Sequence, residues 1–192
     1  MVISFDVPQF LTRDEFKIQA LGLVRRAEVL REPWTWTDIG KGGYLVKNVL
    51  IPDARKPSDE ALDSHNLTDE EEDPAALNTR SLTSCSKWQF HVCYSPSWRS
   101  PVLYFIKDGP SYNPLHIMLD IEERLSGSDV GRFAKVSQQD HPHLNIPFFY
   151  LHPCGTSQHM GDVAPVGEQY LLTWLSCMSH LFPLVDLEYY VV

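Results

Sequence analysis

Residues 146–156 read Ile-Pro-Phe-Phe-Tyr-Leu-His-Pro-Cys-Gly-Thr, and no other part of the chain is as informative. The first six residues form an apolar run that predicts a buried strand. Pro153 and Gly155, on either side of Cys154, predict a tight turn where that strand ends. We therefore expect Cys154 at a rigid strand end rather than inside a core. A thiol placed there beside an imidazole can supply the thiolate for covalent transfer chemistry.

The composition is that of a globular protein. A chain of 192 residues with 43% hydrophobic and 11% aromatic residues is long and apolar enough for one domain with its own core. It has no apolar run of about 18 residues, so no membrane span is predicted, and residues 1–6 lack the features of a signal peptide. The four cysteines, at positions 85, 93, 154 and 177, form no CxxC pair, which favours reduced thiols and a cytoplasmic location.

The negative charge is concentrated in one segment. The chain carries a net charge of -9, and residues 53–74 hold nine acidic residues against two basic ones, which is -7 of that total. Few large apolar residues accompany these charges, so the segment cannot bury enough surface to order itself. We predict an acidic mobile insertion over 52–84 within a single domain spanning 1–192. It could be a solvated spacer or an acidic docking strip for a basic partner.

A helix and a hairpin are predicted before this insertion. Thr12-Arg13-Asp14-Glu15 is a capping box. Apolar residues then recur at helical spacing and stop before Pro33: Phe16, Ala20, Leu23, Ala27 and Leu30. Two β-rich runs, 34–37 and 44–51, flank a glycine turn and predict a hairpin.

After the insertion, the pattern predicts more strands and two further helices. Residues 87–94 alternate as a half-buried strand with one apolar face, and 101–106 form a second antiparallel strand. Asn113 opens a helix that runs to about Leu125, and an apolar stripe over 171–182 predicts a closing helix that stops near Pro183. The predicted class is α+β, an antiparallel meander of at least four strands packed with N-terminal, middle and C-terminal helices.

Several motifs carry a resemblance to a known family. They are Tyr-Ser-Pro-Ser-Trp at 94–98, Gln-Gln-Asp-His-Pro at 138–142, His-Pro-Cys-Gly-Thr at 152–156 and Tyr-Leu-Leu-Thr-Trp-Leu-Ser at 170–176. On these residues the chain resembles the autophagy-related E2-like conjugating enzymes of the protein-ten type, which join a ubiquitin-like modifier to a protein acceptor. The resemblance covers about residues 88–176 and implies an E2-like (ubiquitin-conjugating-like) fold.

The resemblance also implies a mechanism and partners. Cys154 would be the catalytic residue and would accept the modifier, autophagy-related protein twelve, as a thioester from an E1-like activating enzyme. A lysine of the protein acceptor, autophagy-related protein five, would then attack this thioester. No cofactor, metal, nucleic acid or stable membrane insertion is implied. Exchange of thioesters needs mainly alignment, whereas attack by the amine also needs a group that stabilises the oxyanion.

The sequence does not decide which groups stabilise the oxyanion at Cys154. Conventional E2 enzymes place His-Pro-Asn before the cysteine, but the comparable tripeptide here is His141-Pro142-His143. Backbone N–H groups at the turn after Cys154, His143 and Tyr94 are therefore alternative oxyanion donors.

The two polar neighbours of the cysteine each have two possible roles. His152 could favour the thiolate of Cys154 or make a structural hydrogen bond. Thr156 could cap the turn or orient the thiol.

Other classes of protein compete with this interpretation. His141, His143, His152 and Cys154 could be combined into a zinc site, although their spacing matches no compact motif. A cysteine protease would need a base and an acid around Cys154, and no local signature of such enzymes is present. An inactive E2-like adaptor is the remaining non-enzyme alternative.

The lipid-conjugating sister type is the alternative within the family. Its motif continues past the cysteine with Lys-His instead of Gly-Thr, and it has an N-terminal amphipathic membrane segment. The mixed charges on the predicted helix at 12–31 suit packing on a sheet better than binding to lipid. The protein-acceptor type is therefore favoured. An enzyme that binds its acceptor directly could use an exposed sheet edge, which we expect at 44–51 or 88–94.

Overall fold

The computed structural model describes residues 10–40, 42–52, 85–108, 113–132, 134–163 and 169–185. The predicted acidic insertion lies outside these ranges except for Pro52, so its mobility stays a prediction. The described residues form four helices, six strands and one 3-10 turn, and none of these helices is both long and apolar enough to cross a membrane. The helices are α1 (Arg13–Leu30), α2 (Pro114–Ser126), α3 (Thr156–Val163) and α4 (Tyr170–Met178).

The six strands form one antiparallel sheet in the order β1-β2-β3-β4-β6-β5. Their bounds are β1 (Trp34–Asp38), β2 (Gly43–Pro52), β3 (Cys85–Ser95), β4 (Ser100–Asp108), β5 (Val136–Asp140) and β6 (Pro147–Leu151). The α+β class and the meander of at least four strands are confirmed. Strand β5 was not predicted, because only Val136 of this polar edge strand is buried and its pattern shows no apolar alternation.

Helix α1 forms as its capping box predicts. The Thr12 hydroxyl accepts the Glu15 N–H, and the Glu15 carboxylate accepts the Thr12 N–H at 2.8 Å. The buried residues of α1 are Phe16, Ala20, Leu23 and Ala27. They join the main core, in which the helices pack on one face of the sheet through residues such as Phe90, Phe105, Trp174 and Phe182.

The two C-terminal helices differ from the predicted single closing helix. Helix α4 ends at Met178 rather than near Pro183, although Leu181 and Phe182 are still buried in the turns that follow. Helix α3 was not predicted because only Thr156 and Met160 of its eight residues are buried, which leaves almost no apolar periodicity to detect.

The second face of the sheet is also partly covered. Trp88, Phe90 and Val92 of β3 enter the main core as predicted. Contrary to the prediction of one apolar face, His91 and Cys93 on the opposite side are buried as well. The chain between β5 and β6 covers them, because His141 packs against His91 at a ring distance of 4.8 Å.

The edges of the sheet lie elsewhere than the sequence suggested. Residues 88–94 pair with both β2 and β4, so that choice of edge was wrong. Strand β1 pairs with 43–47 of β2 only. Among the described strands, residues 48–52 of β2 therefore have no paired strand on the side where β1 lies. The other predicted edge, 44–51, is open only from residue 48 onwards.

Candidate active site

Cys154 lies in an exposed turn that is fixed on both sides. Strand β6 ends at the buried Leu151, and Pro153 is buried as well, whereas Cys154 itself is exposed. The Thr156 N–H donates to the Pro153 carbonyl at 3.0 Å and closes the turn. Helix α3 begins at Thr156, so the thiol stands at the junction between an inner strand and a helix.

His152 makes the structural hydrogen bond that was one of its two expected roles. Its Nδ1 atom accepts the Cys154 N–H at 3.2 Å, so this nitrogen carries no proton in that arrangement. The backbone N–H of His152 donates to the carbonyl of Lys135, the residue just before β5, at 2.7 Å. The imidazole therefore holds the backbone of Cys154 in place.

Thr156 takes part in the turn through its backbone N–H, and the role of its side chain stays a prediction. Its side chain is buried, with 3% of the residue exposed, and it is the first residue of α3. Because its N–H already donates to Pro153, this group is engaged before any oxyanion forms. The Gly155 N–H has no hydrogen-bond partner among the described residues and remains the open backbone donor at the turn.

Tyr94 is engaged elsewhere. Its hydroxyl donates to the Leu11 carbonyl at 2.9 Å, and its ring lies 5.9 Å from Phe16 and under the Arg13 guanidinium. The phenol therefore joins β3 to the segment that leads into α1, and this contact gives no support to Tyr94 as the oxyanion donor.

The histidines at 141 and 143 lie at the other end of β6 from Cys154. A five-residue strand spans roughly 15 Å, so His143 and Cys154 are not brought together. His143 stacks instead on the Tyr44 ring, with 5.4 Å between the ring centroids, and burial lowers its pKa. His141 is fully buried, and burial lowers its pKa to about 4.

The hydrogen bonds of His141 define its tautomer. Its Nδ1 atom accepts the N–H groups of His143 and Leu144 at 3.3 and 3.2 Å. The proton of the neutral ring must then be on Nε2, which lies 3.0 Å from His91 Nδ1. A metal could not bind that protonated Nε2, and no group of three or more His, Cys, Asp or Glu in the described residues could hold a metal ion.

The structure adds one neighbour of the site that sequence reasoning did not single out. Trp98, in the turn between β3 and β4, packs edge-on against the His152 ring at 5.3 Å. It was part of the Tyr-Ser-Pro-Ser-Trp motif, but the motif gave no reason to place it near Cys154, since the contact depends on how β4 pairs with β6.

The family of the chain follows from comparison with known proteins. The family described as "Autophagocytosis associated protein, active-site domain" matches residues 15–189, and the chain belongs to it. Membership of this family makes the chain an E2-like conjugating enzyme of the autophagy pathway, a transferase.

Two named relatives and one solved structure can be compared with the chain individually. The chain is 27% identical over 203 residues to a human protein named "Ubiquitin-like-conjugating enzyme ATG10", covering 94% of this chain and 90% of that protein. It is 27% identical over 180 residues to the Arabidopsis thaliana protein of the same name, covering 78% of this chain and 79% of that protein. A solved structure titled "Crystal structure of Autophagic E2, Atg10" is 17% identical with a TM-score of 0.49, covering 90% of this chain and 94% of that one.

Proposed function

We propose that Cys154 receives a ubiquitin-like modifier from an E1-like activating enzyme and passes it to a lysine of a protein acceptor. The observation that carries this proposal is the exposed thiol in a turn fixed by His152 and Thr156. A large partner can reach such a thiol, and the fixed backbone keeps it aligned for exchange.

Both chemical steps can be written for this turn. In loading, the Cys154 thiolate attacks the thioester carbonyl on the activating enzyme, a new C–S bond forms and the enzyme's thiolate leaves. In transfer, a neutral lysine amine attacks the new thioester, a C–N bond forms, and Cys154 leaves as thiolate while the amine proton passes to solvent. The Gly155 N–H is the backbone donor still available for the oxyanion, because the Thr156 N–H is already bound to Pro153.

The partners we propose are autophagy-related protein twelve as modifier and autophagy-related protein five as acceptor. The names of the human and plant relatives support a conjugating enzyme for ubiquitin-like proteins. The Gly155-Thr156 pair after the cysteine and the mixed charges on α1 favour a protein acceptor over a lipid. The exposure of the thiol favours an enzyme over an inactive adaptor.

A loading assay tests this function. The purified protein, the activating enzyme, ATP and the modifier are combined and run on a non-reducing gel, where we expect an adduct that thiol reductant removes. Cys154→Ser should give either no adduct or an ester that resists reductant, since an alkoxide is scarce near neutral pH. Cys85→Ser is the matched control, because Cys85 is the other exposed cysteine of the described residues. Equal loading of wild type and Cys154→Ser would contradict the proposal.

A further inference from the structure

An exposed tryptophan stands beside the Cys154 turn. Trp98 is 42% exposed, although its ring packs edge-on against His152 with 5.3 Å between ring centroids. His152 in turn holds the Cys154 N–H. A single side chain therefore separates this tryptophan from the cysteine.

The turn that carries Trp98 is held by strand pairing and hydrogen bonds on both sides. Strands β3 and β4 stay paired up to Ser95 and Ser100, directly beside the turn. The Trp98 N–H donates to the Ser95 hydroxyl at 3.4 Å, and the Arg99 carbonyl accepts the Leu11 N–H at 2.8 Å. Because the backbone is already fixed, a ligand that binds here does not have to order it.

Two further exposed residues lie in this turn or pack on it: Arg99 follows Trp98 in the chain, and Phe10 packs on Arg99. Phe10 is 41% exposed, and the Arg99 guanidinium lies 4.9 Å from the centre of its ring. We call Phe10, Trp98 and Arg99 the Trp98 patch. Tryptophan and arginine are the residues most enriched where binding energy concentrates in interfaces, and an arginine can also donate hydrogen bonds to peptide carbonyls.

We propose that the Trp98 patch binds the extended C-terminal tail of the ubiquitin-like modifier while the last carbonyl of that tail is held at Cys154. This inference rests on the proposed function. An extended chain covers about 3.3 Å per residue, so the two or three residues before the thioester must lie on the surface directly around the turn. The acceptor amine has to reach only the carbonyl and needs no long contact there.

A peptide thioester tests the contact between the Trp98 patch and the modifier tail without the activating enzyme or the acceptor. The probe is a synthetic peptide with the last six residues of the modifier, activated as a thioester, and the readout is the second-order rate constant for its transfer to Cys154. Trp98→Ala should lower this constant about ten-fold, the scale of one lost aromatic contact, and Trp98→Phe should retain most of it. Leu119→Ala is the control, since Leu119 is an exposed apolar residue on α2.

Two further measurements complete the test. Alkylation of Cys154 by iodoacetamide should proceed at the wild-type rate in both Trp98 variants, because the patch acts on the peptide and not on the thiol. An unchanged peptide transfer rate in Trp98→Ala, a parallel loss of alkylation, or a defect confined to discharge onto the acceptor would each overturn the inference. If the proposed function itself were wrong, the wild-type protein would form no thioester with the activating enzyme at all.

Discussion

The Nδ1 atom of His91 lies 3.0 Å from the Nε2 atom of His141, and both rings are buried on the second face of the sheet. Burial lowers the pKa of His91 to about 3 and that of His141 to about 4, from an ordinary value of 6.5. Both rings therefore stay mostly neutral in the folded protein near pH 5, because burial disfavours the charged form.

This pair predicts a loss of stability in mild acid. The unfolded chain takes up protons near pH 6.5 and the folded protein does not, so stability is full above pH 6.5 and declines as the pH falls towards the folded values. Each histidine contributes a slope of about 1.4 kcal/mol per pH unit in that window. We expect the urea midpoint to fall between pH 7 and pH 5, and His91→Gln to flatten this dependence. A midpoint independent of pH over this range would contradict the buried pair.

The buried ion pair of Lys47 predicts a strong stability effect. The Lys47 ammonium is 2.7 Å from the Glu32 carboxylate and 2.6 Å from the Leu184 carbonyl, and only 5% of the lysine is exposed. Glu32→Ala leaves this charge buried without its counter-ion and should cost about 3 kcal/mol in free energy of unfolding.

The exposed pair of Arg132 and Asp129 provides the control for that measurement. Both side chains are more than three-quarters exposed, so Arg132→Gln should have no measurable effect on the denaturant midpoint. If Glu32→Ala and Arg132→Gln gave the same midpoint, the burial of Lys47 would not be contributing to stability.

A substitution of His152 tests its role in holding the turn. His152→Ala removes the acceptor of the Cys154 N–H and the surface on which Trp98 packs, so loading should slow about ten-fold or more while the unfolding transition is retained. His152→Asn places an amide oxygen near the lost Nδ1 and should restore part of the rate. Equal defects in both variants would indicate that the imidazole acts through chemistry that asparagine cannot supply.

The hydroxyl of Tyr94 should matter little for transfer. Since it donates to the Leu11 carbonyl, Tyr94→Phe should cost about 1 kcal/mol of stability and change discharge of the thioester by less than three-fold. A hundred-fold loss of discharge in a protein of normal stability would instead restore Tyr94 as an oxyanion donor.

The pairing of Pro52 with Cys85 allows a direct test of the acidic segment. These two residues are register partners at the ends of β2 and β3, so a short Gly/Ser linker can join the strands in place of residues 53–84. We expect little change in the unfolding transition. If the segment is a docking strip, loading by the activating enzyme will fall in the shortened protein, and the difference will shrink at high salt. Loss of cooperative unfolding would show that the segment is structural.

Local patterns predicted most of the fold but little of the site. The capping box at Thr12, the cap at Asn113 and the β pattern over 87–94 are short-range signals, and the structure contains both caps and the strand, although the strand is buried on both faces at 90–93. The position of Cys154 after a strand also followed from its flanking residues. The burial of His91 and the contact of Trp98 with His152 depend on segments far apart in the chain, and no local spacing encodes them.

If Cys154 carries the modifier as proposed, the open position of its turn limits the lifetime of the loaded enzyme. The described residues leave this cysteine exposed, so water as well as a lysine amine would have access to that thioester. Hydrolysis then competes with transfer, and a loaded molecule that meets no acceptor in time releases its modifier to water. That modifier must be activated again before it can be transferred. The yield of conjugate should therefore depend on how long the acceptor stays bound, because the residues of the turn do not shield the thioester from water.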